Sequence, residues 1–254
     1  STRPAPRAGS LTMRKRLAPV IGFVVDRGLS PLDGMPYVAV LTLHSANRKT
    51  GAMAQVFILR GDVSPLDALA SGSDYTVCGD CPHRPRFSPE HGKVVRSCYV
   101  NVGKSVMSVW RAFQRGRYPD YDPTLHASLL RGRRIRWGSY GDPAILSERV
   151  VRDLTAIADG HTGYTHQWRH PWAAWSRGLF QASCDSFADY LAASAEGWRT
   201  FAVVPENGAP FSGKLCPATA PDSRAQCLTC RLCDGAHLDI FVEAHGPGAA
   251  YVEA

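Results

Sequence analysis

The sequence has no run of eighteen or more apolar residues, so it offers no α-helix long enough to span a bilayer. The N-terminal residues also lack the apolar stretch of an export signal, which makes a cytoplasmic protein with no membrane partner the expectation. Acidic residues are missing from positions 1–16, which hold five basic side chains, and are scarce from 84 to 136, where twelve basic residues meet three acidic ones. Because the whole chain carries +7, the remainder sums to −7. Residues 1–16 have the composition of a flexible basic arm. The basic residues 84–136 are a candidate surface for nucleic acid, the alternative being a solvated helix face. Composition gives no reason to divide the rest, and residues 17–254 are expected to form a single α/β domain.

Two β runs, Tyr37 to His44 and Ala54 to Arg60, flank the turn-rich segment SANRKTGAM and predict an N-terminal β-hairpin. A cysteine-bearing loop region follows over 71–101. Val106, Val109, Trp110 and Phe113, spaced at three and four, then predict a helix from about Gly103 to Arg115. From residue 133 short apolar runs alternate with helical segments. Strands are expected at 133–137, 163–168, 179–184, 200–204 and 238–243, with helices at 147–158 and 185–196, the latter carrying Phe187, Tyr190 and Leu191 on one face. This alternation predicts parallel βαβ units, in a partial parallel (βα) barrel or an open sheet.

Parallel α/β folds place ligands at the C-terminal ends of their strands. Ser139, Tyr140 and Asp142 follow the first of these strands, His166 lies late in the next, and Asp185 lies just past the one after. Asp142, His166 and Asp185 are thus candidate catalytic groups on one face. The alternative is that Gly138 to Pro143 is only a turn and His166 a packed histidine.

Eight cysteines could pair as disulfides in an exported protein, but their spacing argues otherwise. Cys227, Cys230 and Cys233 fall within seven residues, and a CxxC pair closes too small a loop to gain much as a structural disulfide. The run C-x-x-C-x-x-C is the spacing with which ferredoxin-type loops present three thiolates to one cubane, a remote cysteine followed by proline supplying the fourth. Cys216-Pro217 meets that description. A 4Fe-4S cluster on Cys216, Cys227, Cys230 and Cys233 is therefore expected, with zinc as the alternative, although structural zinc sites more often combine two separated pairs. Cys78, Cys81 and Cys98 form a second group. They fit a cluster with one open iron, a zinc site completed by His83, His91 or another group, or ligands shared with the C-terminal four. Cys184 stands alone and reads as a small buried hydrophobe. Asp234-Gly235 favours a turn out of the cysteine loop, and Arg224 and Arg231 would offset the negative charge of a cluster.

The order NRKTG, CGDCP, CYVNVGK, GSYGDP, YTHQW, GWRTF and CP before CLTCRLCDG, spread over roughly residues 37–243, resembles a group of bacteriophage-encoded iron-sulfur cluster proteins of unknown function. That resemblance implies a viral protein in the cytoplasm of an infected bacterial host, with a bound 4Fe-4S cluster. The alternating βα portion is also remotely similar to the radical S-adenosylmethionine fold, a partial parallel barrel, but the CxxxCxxC motif of that family is absent. Three functions follow: a cluster protein with a redox or structural role and a possible redox partner; a metal- or radical-dependent enzyme with its site at the strand ends, using His166 and Asp142 as acid and base; or a nucleic-acid-binding module held together by a cluster or zinc.

Overall fold

The computed structural model describes residues 19–205, 212–220, 222–244 and 248–252; the basic arm expected at 1–16 lies outside them. The chain opens with strands β1 (Gly22–Leu29), β2 (Pro36–Thr42) and β3 (Ala54–Leu59), whose residues are almost continuously apolar and, in β3, entirely buried. β1 pairs antiparallel with β2, and β2 antiparallel with β3. Two short helices follow, α1 (Pro65–Ser71), capped by Ser64, and α2 (Tyr75–Cys78), and then a small antiparallel pair, β4 (Arg86–Ser88) and β5 (Lys93–Val95). The segment expected to be a loop over 71–101 thus contains regular but very short pieces, too short to impose a periodicity.

The helix predicted from Gly103 begins later, as α3 (Met107–Gln114). A π-type turn over Val102–Val106 precedes it, with Lys104 outside helical geometry. Helix α4 (Pro123–Leu130) takes its N-cap from Asp122. Strand β6 (Ile135–Tyr140) and helix α5 (Glu148–Ile157) come next. Of the predicted strand 163–168 only β8 (Tyr164–Thr165) forms; another short strand, β7 (His161–Thr162), lies just before it across Gly163, and a 3-10 turn over Gln167–Arg169 follows. Phe180 lies directly against the Gly163 Cα, leaving no room for a side chain at this crossover. The chain continues through β9 (Gln181–Cys184), α6 (Phe187–Ala195), β10 (Thr200–Val204), β11 (Lys214–Leu215), α7 (Cys227–Cys230) and β12 (Ile240–Glu243).

Two five-stranded sheets result, in the orders β1-β2-β3-β6-β7 and β11-β12-β10-β9-β8. Every pairing from β3 onward in these two sheets is parallel, and β7 and β8 carry the chain from one sheet to the other. The architecture is mixed α/β with open sheets. Its main core gathers Phe23, Leu41, Ile58, Trp137, Leu154 and Phe180, each at most 2% exposed. A smaller core holds Trp168, Ala182, Cys184, Ala193 and Trp198. Cys184 is fully buried there, as a small apolar side chain would be. Helix α6 packs inward through Ala193, so Phe187 and Leu191, which share the face read from the sequence, stand more than half exposed. No helix among the described residues is long and apolar enough to cross a membrane.

Candidate functional site

All eight cysteines are unbridged, and seven of them fall into two groups. Cys78 ends α2, Cys81 follows three residues later, and Cys98 arrives after the β4–β5 pair. The loop is tied in place by arginines: Arg84 reaches Asp74 through two 2.8 Å contacts, and Arg96 donates to the Cys98 and Val100 carbonyls at 3.1 and 3.0 Å. Gln167 Nε2 donates to the Cys78 carbonyl at 3.2 Å. Gly79, at φ +54°, lies so close to Gln167 that a Cβ would stand 2.5 Å from its Oε1, so both backbone conformation and space demand glycine. Burial raises the Cys78 thiol well above its ordinary pKa, and the neighbouring Cys81, Asp74 and Cys98 charges add to the effect. Burial raises Cys98 as well.

The second group is Cys216, Cys227, Cys230 and Cys233. Cys227 and Cys230 bound the single turn α7, and Arg231 then adopts the left-handed region at φ 62°, turning the chain so that Cys233 comes back toward the others. Burial pushes Cys233 up to about 12; the Tyr164 hydroxyl, hydrogen-bonded to its thiol, opposes that, while Cys216, Cys227 and Cys230 add to it. Burial raises Cys227 as well, and a cation beside such buried thiols would favour their ionised form. Arg231 itself pairs with Asp159 at 3.0 Å. Asp234 and Gly235 form the expected turn, with Asp234 Oδ1 accepting from the Ala236 amide.

What holds the C-terminal cysteine loop was not visible in the sequence. The turn NRKTG, read there only as a connection between strands, is its dock. The Cys227 amide donates to the Lys49 carbonyl at 3.0 Å, the Leu228 amide to Thr50 at 3.1 Å, and Gln226 Nε2 to Arg48 at 3.0 Å. Gly51, at φ +70°, lets the loops meet: a Cβ there would lie 2.7 Å from Gln226 Oε1 and 3.1 Å from Leu228 Cβ. From the other side the Gly163 amide donates to the Cys233 carbonyl at 3.3 Å.

Both groups border one cavity of about 240 Å³. Cys78, Cys81 and Cys98 line one part of it, Cys216 and Cys227 another. Asp142, His166 and Ser183, at or beyond the C-terminal ends of parallel strands, complete its polar wall. Arg136 also faces it; its guanidinium lies over the Tyr164 ring and donates from Nη2 to Tyr99 Oη at 2.7 Å.

Asp142, His166 and Asp185 do come together. The His166 amide donates to Asp142 Oδ2 at 2.8 Å, and His166 Nε2 lies 3.2 Å from Asp185 Oδ2. Asp142, however, also accepts from the Ala144 amide at 3.0 Å and caps the 3-10 turn that begins at Pro143, so its carboxylate is engaged in holding backbone. His83, considered in the sequence only as a completing ligand, sits 2.9 Å from Asp185 Oδ1. His91 is elsewhere, against Ser88 and Tyr251. The basic residues 84–136 do not share one outward face: Arg84 and Arg96 bind this chain's own loops, Arg133 donates to Leu129 and Leu43 carbonyls, and Arg136 faces the cavity.

Neither family models, curated proteins nor solved structures give a match to this chain.

Proposed function

We propose that this protein is an iron-sulfur protein in which Cys216, Cys227, Cys230 and Cys233 hold a 4Fe-4S cluster at the wall of a ligand cavity, where it serves a redox role. The observation that carries the reading is the shared cavity: Cys216 and Cys227 line the same 240 Å³ space as Cys78, Cys81, Cys98 and His166. A purely structural centre gains nothing from bordering such a space.

Two features of the residues fit a cluster. Thr162 lines the small pocket enclosed by the four cysteines, and its Oγ1 is buried with no hydrogen-bond partner. A buried orphan hydroxyl costs about 1–3 kcal/mol, and the sulfides of a cluster would supply an acceptor. Second, no three of the eight sulfurs lie within 4.8 Å of one another. One tetrahedral zinc would gather its thiolates to about 4 Å apart, given zinc–sulfur bonds of about 2.3 Å. A cluster, in which each thiolate meets a different iron, spaces them more widely. When bound, the cluster supplies one-electron transfer; Tyr164 would orient the Cys233 sulfur, and Arg136 would place a positive charge beside Cys227.

An enzyme is the second reading, favoured by the position of the cavity at the C-terminal ends of the parallel strands. Tyr140 Oη, also buried without a partner, lines the cavity near Cys78 and Cys98. The parallel pairings within each of the two sheets, β3-β6-β7 and β8-β9-β10-β12-β11, are compatible with a partial (βα) barrel, the fold of the remote radical S-adenosylmethionine likeness. The deciding experiment is iron and sulfide analysis of anaerobically purified protein. We expect a brown protein with about four irons and four sulfides for the C-terminal centre. Cys230→Ala should lose that centre while Cys98→Ala keeps it. Colourless protein loaded with zinc at Cys216, Cys227, Cys230 and Cys233 would refute the reading.

A further inference from the structure

Two side chains of the cavity wall that the C-terminal cysteines do not use, His83 and His166, both meet Asp185. His83, two residues past Cys81, points Nε2 at Asp185 Oδ1 from 2.9 Å. His166, just past β8, places Nε2 3.2 Å from Asp185 Oδ2. Asp185 follows β9. The three donor atoms all lie within 4.8 Å of one another, and among the described residues no other set of three or more His, Cys, Asp or Glu ligand atoms converges so closely.

A salt-bridged His-Asp-His trio is the competing explanation, and the alignment of His166 speaks against it. Nε2 of His166 is buried and, although it interacts electrostatically with Cys81 and Asp185, it is not aligned for a hydrogen bond to the carboxylate oxygen 3.2 Å away. Where an imidazole in this protein does pair with a carboxylate, the bond forms: His170 Nε2 meets Asp80 Oδ2 at 2.7 Å with hydrogen-bond geometry. A ring nitrogen close to an oxygen yet not bonded to it is what two donor atoms look like when both aim at a third point between them. The spacing agrees. Metal–nitrogen and metal–oxygen bonds of about 2.0–2.2 Å put neighbouring ligand atoms about 3 Å apart.

The surroundings complete the arrangement. Nδ1 of His83 lies 2.8 Å from Ser97 Oγ, an outer partner that would accept a hydrogen bond from Nδ1–H and so leave Nε2 its lone pair. His166 is fixed through its amide by Asp142. Both imidazoles line the cavity, so the side of the site not covered by protein ligands faces the space where a small molecule would sit.

We propose that His83, His166 and Asp185 bind one divalent first-row transition ion, iron(II) or zinc, with open coordination positions directed into the cavity. Two imidazoles and one carboxylate with vacant positions are the ligand set of non-haem iron(II) sites and of hydrolytic zinc sites. Ligands of the cavity would meet this ion through an oxygen atom, a water, carboxylate or phosphate oxygen. The site is separate in its ligands from the C-terminal cluster, so either stands if the other fails.

The test uses the cluster-loaded protein, passed through a chelator, desalted under anaerobic conditions and given zinc alone. Dialysis with metal analysis is expected to find one added zinc per chain. Zinc X-ray absorption should show a first shell of nitrogen and oxygen at about 2.0–2.1 Å and no sulfur at about 2.3 Å. Asp185→Asn and His83→Gln should each weaken binding at least 100-fold, and Ser97→Ala, which keeps all three ligands, about 10-fold. Sulfur in the zinc shell would assign the ion to Cys78, Cys81 or Cys98 and overturn the proposal. So would normal affinity in a folded Asp185→Asn protein. If that variant fails to fold, the absorption spectrum of the unaltered protein decides alone.

Discussion

Replacing Gly51 by alanine tests whether the turn at residues 47–51 truly carries the C-terminal cysteine loop. Gly51 is in the left-handed region, φ +70°, which costs an alanine about 1–2 kcal/mol. The added methyl would also press on Gln226 Oε1 at 2.7 Å and Leu228 Cβ at 3.1 Å. The Gln226 side chain can swing away, but only by breaking its bond to the Arg48 carbonyl. Three hydrogen bonds join the two loops, each worth about 1 kcal/mol net, and they would be weakened together. If a cluster leaves only when the loop undocks, a shift of 1–2 kcal/mol in docking speeds its loss about 5- to 30-fold. The assay is bleaching of the visible absorbance by an iron chelator under anaerobic conditions. Thermal melting should fall by a few degrees in parallel. Bleaching at the rate of the unaltered protein would refute the docking argument, because neither the backbone penalty nor the lost contacts would then bear on the thiols.

Further expectations concern other parts of the structure. Tyr164→Phe keeps the ring packed on Phe201 but deletes the hydrogen bond to Cys233, so the cluster potential should fall by some tens of millivolts in an EPR-monitored redox titration, about 59 mV being a tenfold change for one electron. His161 is buried against the Leu179 carbonyl, and burial lowers its pKa, so the unfolded chain takes up the proton first. Stability should accordingly be full above the ordinary histidine pKa of about 6.5 and decline as pH falls below it, and His161→Gln should flatten that decline in denaturant titrations. Trp137→Ala empties a fully buried position in the main core and should cost about 3–5 kcal/mol by the same titrations.

The cysteine spacing was legible because its geometry is local: three thiols within one turn and its exit are nearly the whole arrangement. The strand-end face was legible for a different reason. Parallel topology places Asp142, His166 and Asp185 at equivalent ends of successive strands, and they meet in the structure. What the sequence concealed depends on distant partners. Nothing in NRKTG signals that its carbonyls receive the amides of Cys227 and Leu228. His83 gains its meaning only when the loop after Cys81 folds over Asp185, about a hundred residues on. The switch of sheets at Gly163, which leaves only β8 of the expected strand 163–168, goes with Phe180 packing against that glycine, a contact with no periodic trace. The exposure of Phe187 and Leu191 was likewise unreadable, since apolar residues on a helix face identify the face but not what covers it.

The bond between Gln226 and Arg48 spans 178 residues, and the amides of Cys227 and Leu228 reach back equally far. During synthesis the receiving turn therefore emerges well before the segment that docks on it, and the two can pair only once the chain between them has been made. Cysteines 227, 230 and 233 cannot be set in place before then. Any centre that these thiols hold would therefore form only on a chain translated past residue 233 and folded back onto the turn at residues 47–51.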